Sequence, residues 1–173
     1  MKLIERDLQI HFTDAIDGFV FDQMKQQLPN YHGISEMSRV DFVVELDTAI
    51  LFIELKDTDR DGIDAASLEK FYEKLDSGKL SSTFASKFIN TFLYRWSEEK
   101  INKPIHYLSL VTLEEGLLAE LTDSITKKFM FLDKKGPRWK RRPLENCQVF
   151  NIESWNENFP KWPVTRLNIP ANA

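Results

Sequence analysis

The chain reads as an α/β domain with a mixed central β-sheet flanked by helices, and three observations lead there. From Val40 to Lys56, two runs of apolar, often β-branched residues flank Leu46-Asp47-Thr48-Ala49, the pattern of a β-hairpin. Several longer stretches carry apolar residues at helical spacing, and two further apolar runs, Pro104 to Thr112 and Cys147 to Ile152, suit strands placed among those helices. The 173 residues, 42% hydrophobic, are enough for one domain with a real core.

Taken in order, Ile4, Leu8, Phe12, Ala15, Ile16 and Phe19 form one stripe when wound as a helix, which predicts a helix over 2–28 ended by Pro29. A weaker strand is expected near Tyr31 to Glu36, followed by the hairpin. Asp64 to Asp76 is expected to be helical, with Leu68, Phe71, Tyr72 and Leu75 on one side. The next helix takes Ser82 as its N-cap and carries Phe84, Ala85, Phe88, Ile89, Phe92, Leu93 and Trp96. Leu117, Leu118, Leu121, Ile125, Phe129 and Leu132 mark another helix after the strand at Pro104 to Thr112. Beyond the strand at Cys147 to Ile152, the residues from Ser154 onward, rich in tryptophan and proline, read as an extended tail packed on the surface. A core over about 2–112 would thus carry a C-terminal helix, strand and tail over 113–173.

Composition narrows the function classes. No run approaches the roughly 20 apolar residues that cross a bilayer, and Met1 to Asp7 lacks the apolar centre of a signal peptide. The single cysteine, Cys147, excludes an internal disulfide and a thiolate metal cluster, so a reducing, cytoplasmic setting is expected. A net charge of -4 does not point to nucleic acid by itself, but the charges are unevenly spread. The segment from Lys134 to Arg142 holds six positive residues, Lys134, Lys135, Arg138, Lys140, Arg141 and Arg142, around Trp139. That composition suits phosphate contacts with stacking on a base; a solvated loop is the plainer alternative.

Chemistry concentrates on the hairpin. With its loop centred on Asp47-Thr48, cross-strand partners have numbers summing to 95, so Asp41 faces Glu54, and Lys56 lies on the same face one step further. The opposite face, from Val40 to Leu55, is wholly apolar. Two adjacent carboxylates require a shared proton or a cation, and a hard divalent ion takes oxygen ligands from such a pair. Lys56 beside them suits positioning the attacking water or stabilising charge on a phosphate. The plainer alternative is that Lys56 pairs with both acids at a sheet edge.

Val40-Asp41 and Glu54-Leu55-Lys56 resemble the signature of the PD-(D/E)xK nuclease superfamily, an acid at the start of one strand and Glu-x-Lys on the next. The resemblance implies a restriction-endonuclease-like αβββαβ core, covering about two thirds of the chain from Lys2 to Thr112. It further implies that Asp41, Glu54 and the Leu55 carbonyl ligate Mg²⁺ or Mn²⁺ and that Lys56 serves water and phosphate. DNA is expected ahead of RNA as substrate, with a homodimer as one assembly to test. Val40 replaces the proline of many relatives. Many relatives also bring a glutamate from the first helix to the metal. Placing residues at about 100° each puts Glu5 on the apolar stripe, which makes it the candidate, the alternative being an acid that complements a helix dipole.

Two other readings stay open. One is a catalytically inactive module that keeps this fold for binding. The other is calcium binding by Asp57-Thr58-Asp59-Arg60-Asp61-Gly62, which begins like an EF-hand but has Leu68 where the bidentate glutamate is required.

Overall fold

The computed structural model describes every residue except 29, 60–61, 134–135, 137 and 168–173. Its described residues form eight strands in two sheets and four helices. The strands are β1 (Lys2–Glu5), β2 (Leu8–His11), β3 (Asp17–Val20), β4 (Phe42–Glu45), β5 (Ile50–Lys56), β6 (Ile105–Val111), β7 (Asn146–Phe150) and β8 (Val164–Arg166). The helices are α1 (Ala65–Asp76), α2 (Lys79–Ser97), α3 (Glu115–Asp133) and α4 (Ile152–Asn158).

The large sheet has the order β3-β4-β5-β6-β7 and is mixed. Its first three strands are antiparallel neighbours, whereas β6 runs parallel to β5 and β7 parallel to β6. Parallel neighbours need long connections, and α1 with α2, then α3, supply them. One face of the sheet packs on these helices through Val43, Phe52 and Tyr107 against Phe84, Phe88, Leu121, Ile125 and Phe129. The other face, with Phe42, Val44, Leu51 and Ile53, meets Leu8, Ile10, Phe12 and Trp155 beneath the small sheet β1-β2-β8 and α4. The five-stranded sheet is therefore covered on both faces, which accounts for the near-continuous apolar run of β5.

The helix expected over 2–28 is replaced by three strands. Leu8, Ile10 and Phe12 are buried while Gln9 and His11 are only half-buried, a period of two that the helical stripe overlaid. Ile4 and Ile16, which that stripe required to be inward, are exposed. The turn between β1 and β2 places Arg6 at φ 60°, a conformation that its residue type does not advertise. The strand expected near Tyr31 to Glu36 is absent, and β3 takes its place beside β4. Ser82 lies within α2, whose N-cap is Gly78 at φ 69°. The tail beyond Ser154 is no simple extended segment: Asn151 caps α4 in a reciprocal pair with Ser154, and Trp155 is fully buried. No helix among the described residues is long and apolar enough to cross a membrane.

Candidate active site

The β4–β5 register pairs Phe42 with Ile53 and Glu45 with Ile50, as the sum of 95 requires. One further step sets Asp41 opposite Glu54. Here the Asp41 side chain takes over from the backbone ladder: its Oδ2 accepts the Leu55 N–H at 2.6 Å. The Asp41 carbonyl accepts the Phe21 N–H at 2.8 Å, so this residue is held from both neighbouring strands.

Glu54 is fully buried, and two ammonium groups reach it. Lys56 Nζ lies 2.7 Å from Oε1, and Lys87 Nζ lies 2.7 and 2.8 Å from the two carboxylate oxygens. Lys87 also lies 3.5 Å from Asp41 Oδ1, so its charge links the two acids. Burial, and then repulsion by Asp41, push the Glu54 carboxyl up to about 7 against the pull of the lysines. Burial alone would lower Lys56, yet Glu54 and Asp41 outweigh it and hold the ammonium above its ordinary value.

Lys87 was not visible as a site residue in the hairpin pattern. Its signal is in α2, where the buried face runs through Leu80, Phe84, Phe88 and Thr91. At helical spacing Lys87 lies on that sheet-facing side, three residues after Phe84 and four before Thr91, where a cation requires a partner.

Glu5 reaches the same place by another route. It ends β1 rather than riding a helix, and it lines a cavity of about 190 Å³ with Asp41, Leu55, Lys56 and Asp57. Burial and the nearby Asp41 raise its carboxyl above the ordinary value. Arg166 of β8 binds Asp7 at 2.6 Å and both oxygens of Asp57 at 2.7 Å, tying the turn after Glu5 to the residue after Lys56. Asp57 also accepts from the Thr112 hydroxyl and from the Asp59 N–H, both at 3.1 Å, so its carboxylate is already committed to partners within the fold. Residues 60 and 61 of the acidic loop considered for calcium lie outside the described residues.

The basic segment sits elsewhere. Lys134 and Lys135 lie outside the described residues, whereas Arg138, Trp139, Lys140, Arg141 and Arg142 are exposed. Arg141 and Arg142 border a cavity with Lys103 and Pro104, and the Glu145 N–H donates to the Ile105 carbonyl. Ile105 is paired with Ile50 at the start of β5, whereas Glu54 and Lys56 lie near its end. Four to six residues of strand separate the two, roughly 13–20 Å.

Among the described residues, no three acidic, histidine or cysteine side chains stand together in a group ready to hold a metal ion. Compared with known proteins, the chain matches no family model, no curated protein and no solved structure.

Proposed function

We propose that this chain is a metal-dependent nuclease that hydrolyses phosphodiester bonds, of DNA ahead of RNA, on a restriction-endonuclease-like core. The reading rests on one observation: Asp41 and Glu54 come from adjacent strands to a single point that demands positive charge. The order β3, β4, β5, helix, β6 supports it, since the PD-(D/E)xK core also runs three strands, helix, strand. The first helix of that core has no counterpart before β3 among the described residues.

The donor set suits Mg²⁺ or Mn²⁺. Two carboxylates present oxygen ligands, Leu55 beside them lines the cavity with Glu5, and a bound cation would take over the charge that the Lys87 ammonium supplies to both acids. Asp41, Glu54 and the Leu55 carbonyl would hold the ion, with Glu5 at the rim and Lys87 displaced. When bound, such an ion supplies Lewis acidity and an activated water. Lys56, whose side chain is one-third exposed, faces the cavity and supplies a charge for the phosphate. Burial of Glu54 keeps its charge sensitive to the positive groups around it.

The second reading is a binding module without catalysis, favoured by the same Lys87 because it already neutralises the acids. Incubation with linear, circular and single-stranded DNA, in Mg²⁺, Mn²⁺ or EDTA, separates the two. The wild type should cleave only with metal, and Mg²⁺ should raise its melting temperature by mass action. Asp41→Asn should lose both responses. A wild type that neither cleaves nor responds to metal would leave the binding module.

A further inference from the structure

On the helix-covered face of the large sheet, β3 and the end of α2 enclose a second cavity, of about 340 Å³. Its walls are aromatic: Phe19, Phe21, Tyr31, His32 and Tyr94. The Tyr94 ring stands edge-on to Phe21 at 5.3 Å and to His32 at 5.7 Å, while Tyr31 tilts against His32 at 5.8 Å. The Tyr94 hydroxyl donates to the His32 carbonyl at 3.0 Å, which fixes the two walls to each other.

Polar groups are few and placed among the rings. His32 Nδ1 accepts the Ile34 N–H at 3.0 Å, so a neutral ring carries its proton on Nε2. That nitrogen is buried and has no partner among the described residues, although the side chain is more than nine-tenths buried. Glu98 and the Asn30 amide complete the lining. The Asn30 nitrogen donates to the Val20 carbonyl, which fixes this side chain at the cavity wall.

The charge balance selects the guest. Aromatic cages with an acid often suit methylated ammonium groups, but here Glu98 is already paired with Arg95 at 2.6 Å. The same guanidinium lies over the Phe19 ring at 5.4 Å. A cationic guest would meet a neutralised wall carrying a fixed positive charge. A flat neutral heteroaromatic ring meets aromatic walls and the unpaired His32 Nε2 instead.

The cavity also adjoins the carboxylates. β3 pairs Val20 with Phe42, so the next step sets Phe21 opposite Asp41, joined by the 2.8 Å hydrogen bond already described. Tyr94 follows Lys87 by seven residues, about 10 Å along the helix axis. We propose that this cavity receives a nucleobase from the strand whose phosphate lies at Asp41, Glu54 and Lys56. The assignment of a strand as its source rests on the nuclease reading.

Calorimetric titration of the intact protein in EDTA tests it with four probes: a short single-stranded oligonucleotide, the same backbone without bases, the four nucleoside monophosphates, and a trimethyl-lysine peptide. The base-bearing strand should bind about tenfold or more tightly than the abasic one. Tyr31→Ala should remove about that factor and leave abasic binding unchanged; Tyr31→Leu, which retains bulk without a stacking face, serves if the alanine variant is unfolded. Measurable binding of free monophosphates, weaker than the strand, identifies the base as the recognised part. Equal affinity for the two strands, an unaltered Tyr31 variant, or tighter binding of a trimethyl-lysine peptide would overturn the proposal. Base-dependent binding in a protein that never cleaves would retire the nuclease reading alone; metal-dependent cleavage without base-dependent binding would retire the cavity alone.

Discussion

Glu54 is the residue at which opposing terms meet. It is fully buried beside a like charge, yet both its oxygens accept from Lys87 and one from Lys56. Its carboxyl is raised to about 7, by burial first, whereas the unfolded chain titrates near 4.5. Between those values the folded protein keeps a proton that the unfolded chain has released. The stability this contributes is complete below about 4.5 and is lost as pH rises through about 7, on the order of 3 kcal/mol. Glu54→Gln cannot titrate, so the stability of wild type relative to this variant should fall across that window. Urea denaturation at a series of pH values measures it, and a difference that stays flat or rises refutes the assigned balance. Metal binding should strengthen over the same range, because the ion requires the charged form.

At the scale of elements, the site depends on strands from both ends of the chain. Glu5 is carried by the β1–β2 hairpin, and β8 pairs with β2 and sends Arg166 to Asp7 and Asp57. What presses this small sheet onto the large one is apolar: Leu8, Ile10 and Phe12 with Trp155 of α4. Trp155 has no exposed surface, packs edge-on against Phe150 and Phe159, and donates its indole N–H to the Trp162 carbonyl at 2.8 Å. Trp155→Ala should therefore cost about 3–5 kcal/mol, through the cavity left behind and the orphaned carbonyl. Chemical denaturation checks the figure, and a loss under 1 kcal/mol would mean that α4 is peripheral. The helical reading of the N-terminus failed because Ile4, Leu8 and Phe12 satisfy a four-residue spacing while Leu8, Ile10 and Phe12 satisfy a two-residue one. The turn that decides between them, at Arg6, lacks the glycine or asparagine that marks hairpins.

For the whole molecule, the two charged regions lie at opposite ends of β5. The acids and lysines of the site are near its end, and Arg141 and Arg142 approach its start. On the nuclease reading, a basic patch at that distance would contribute attraction rather than chemistry. Replacing Arg138, Arg141 and Arg142 by alanine should weaken DNA binding and reduce the log-log salt slope by up to about one for each lost phosphate contact. Cleavage at saturating DNA should change little. Filter binding over a range of salt, with turnover measured alongside, tests both; an unchanged slope would make the segment a plain solvated loop.

The residues alone determined the α/β class, the hairpin with its register, and hence the meeting of Asp41, Glu54 and Lys56. These follow from alternation over adjacent segments, where one short loop sets the pairing and a slip would turn polar groups into the core. The helices at α1 and α3 were equally legible, because their apolar spacing is long and unambiguous. Tertiary structure alone decided the rest: that Lys87 joins the acids, that Glu5 arrives on a strand, that Arg166 ties the ends together, and that five aromatic groups enclose a cavity beside Asp41. Each depends on contacts between segments far apart in the chain, whose free energy comes from burial and charge pairing. Neither leaves a periodic trace in a local stretch of sequence.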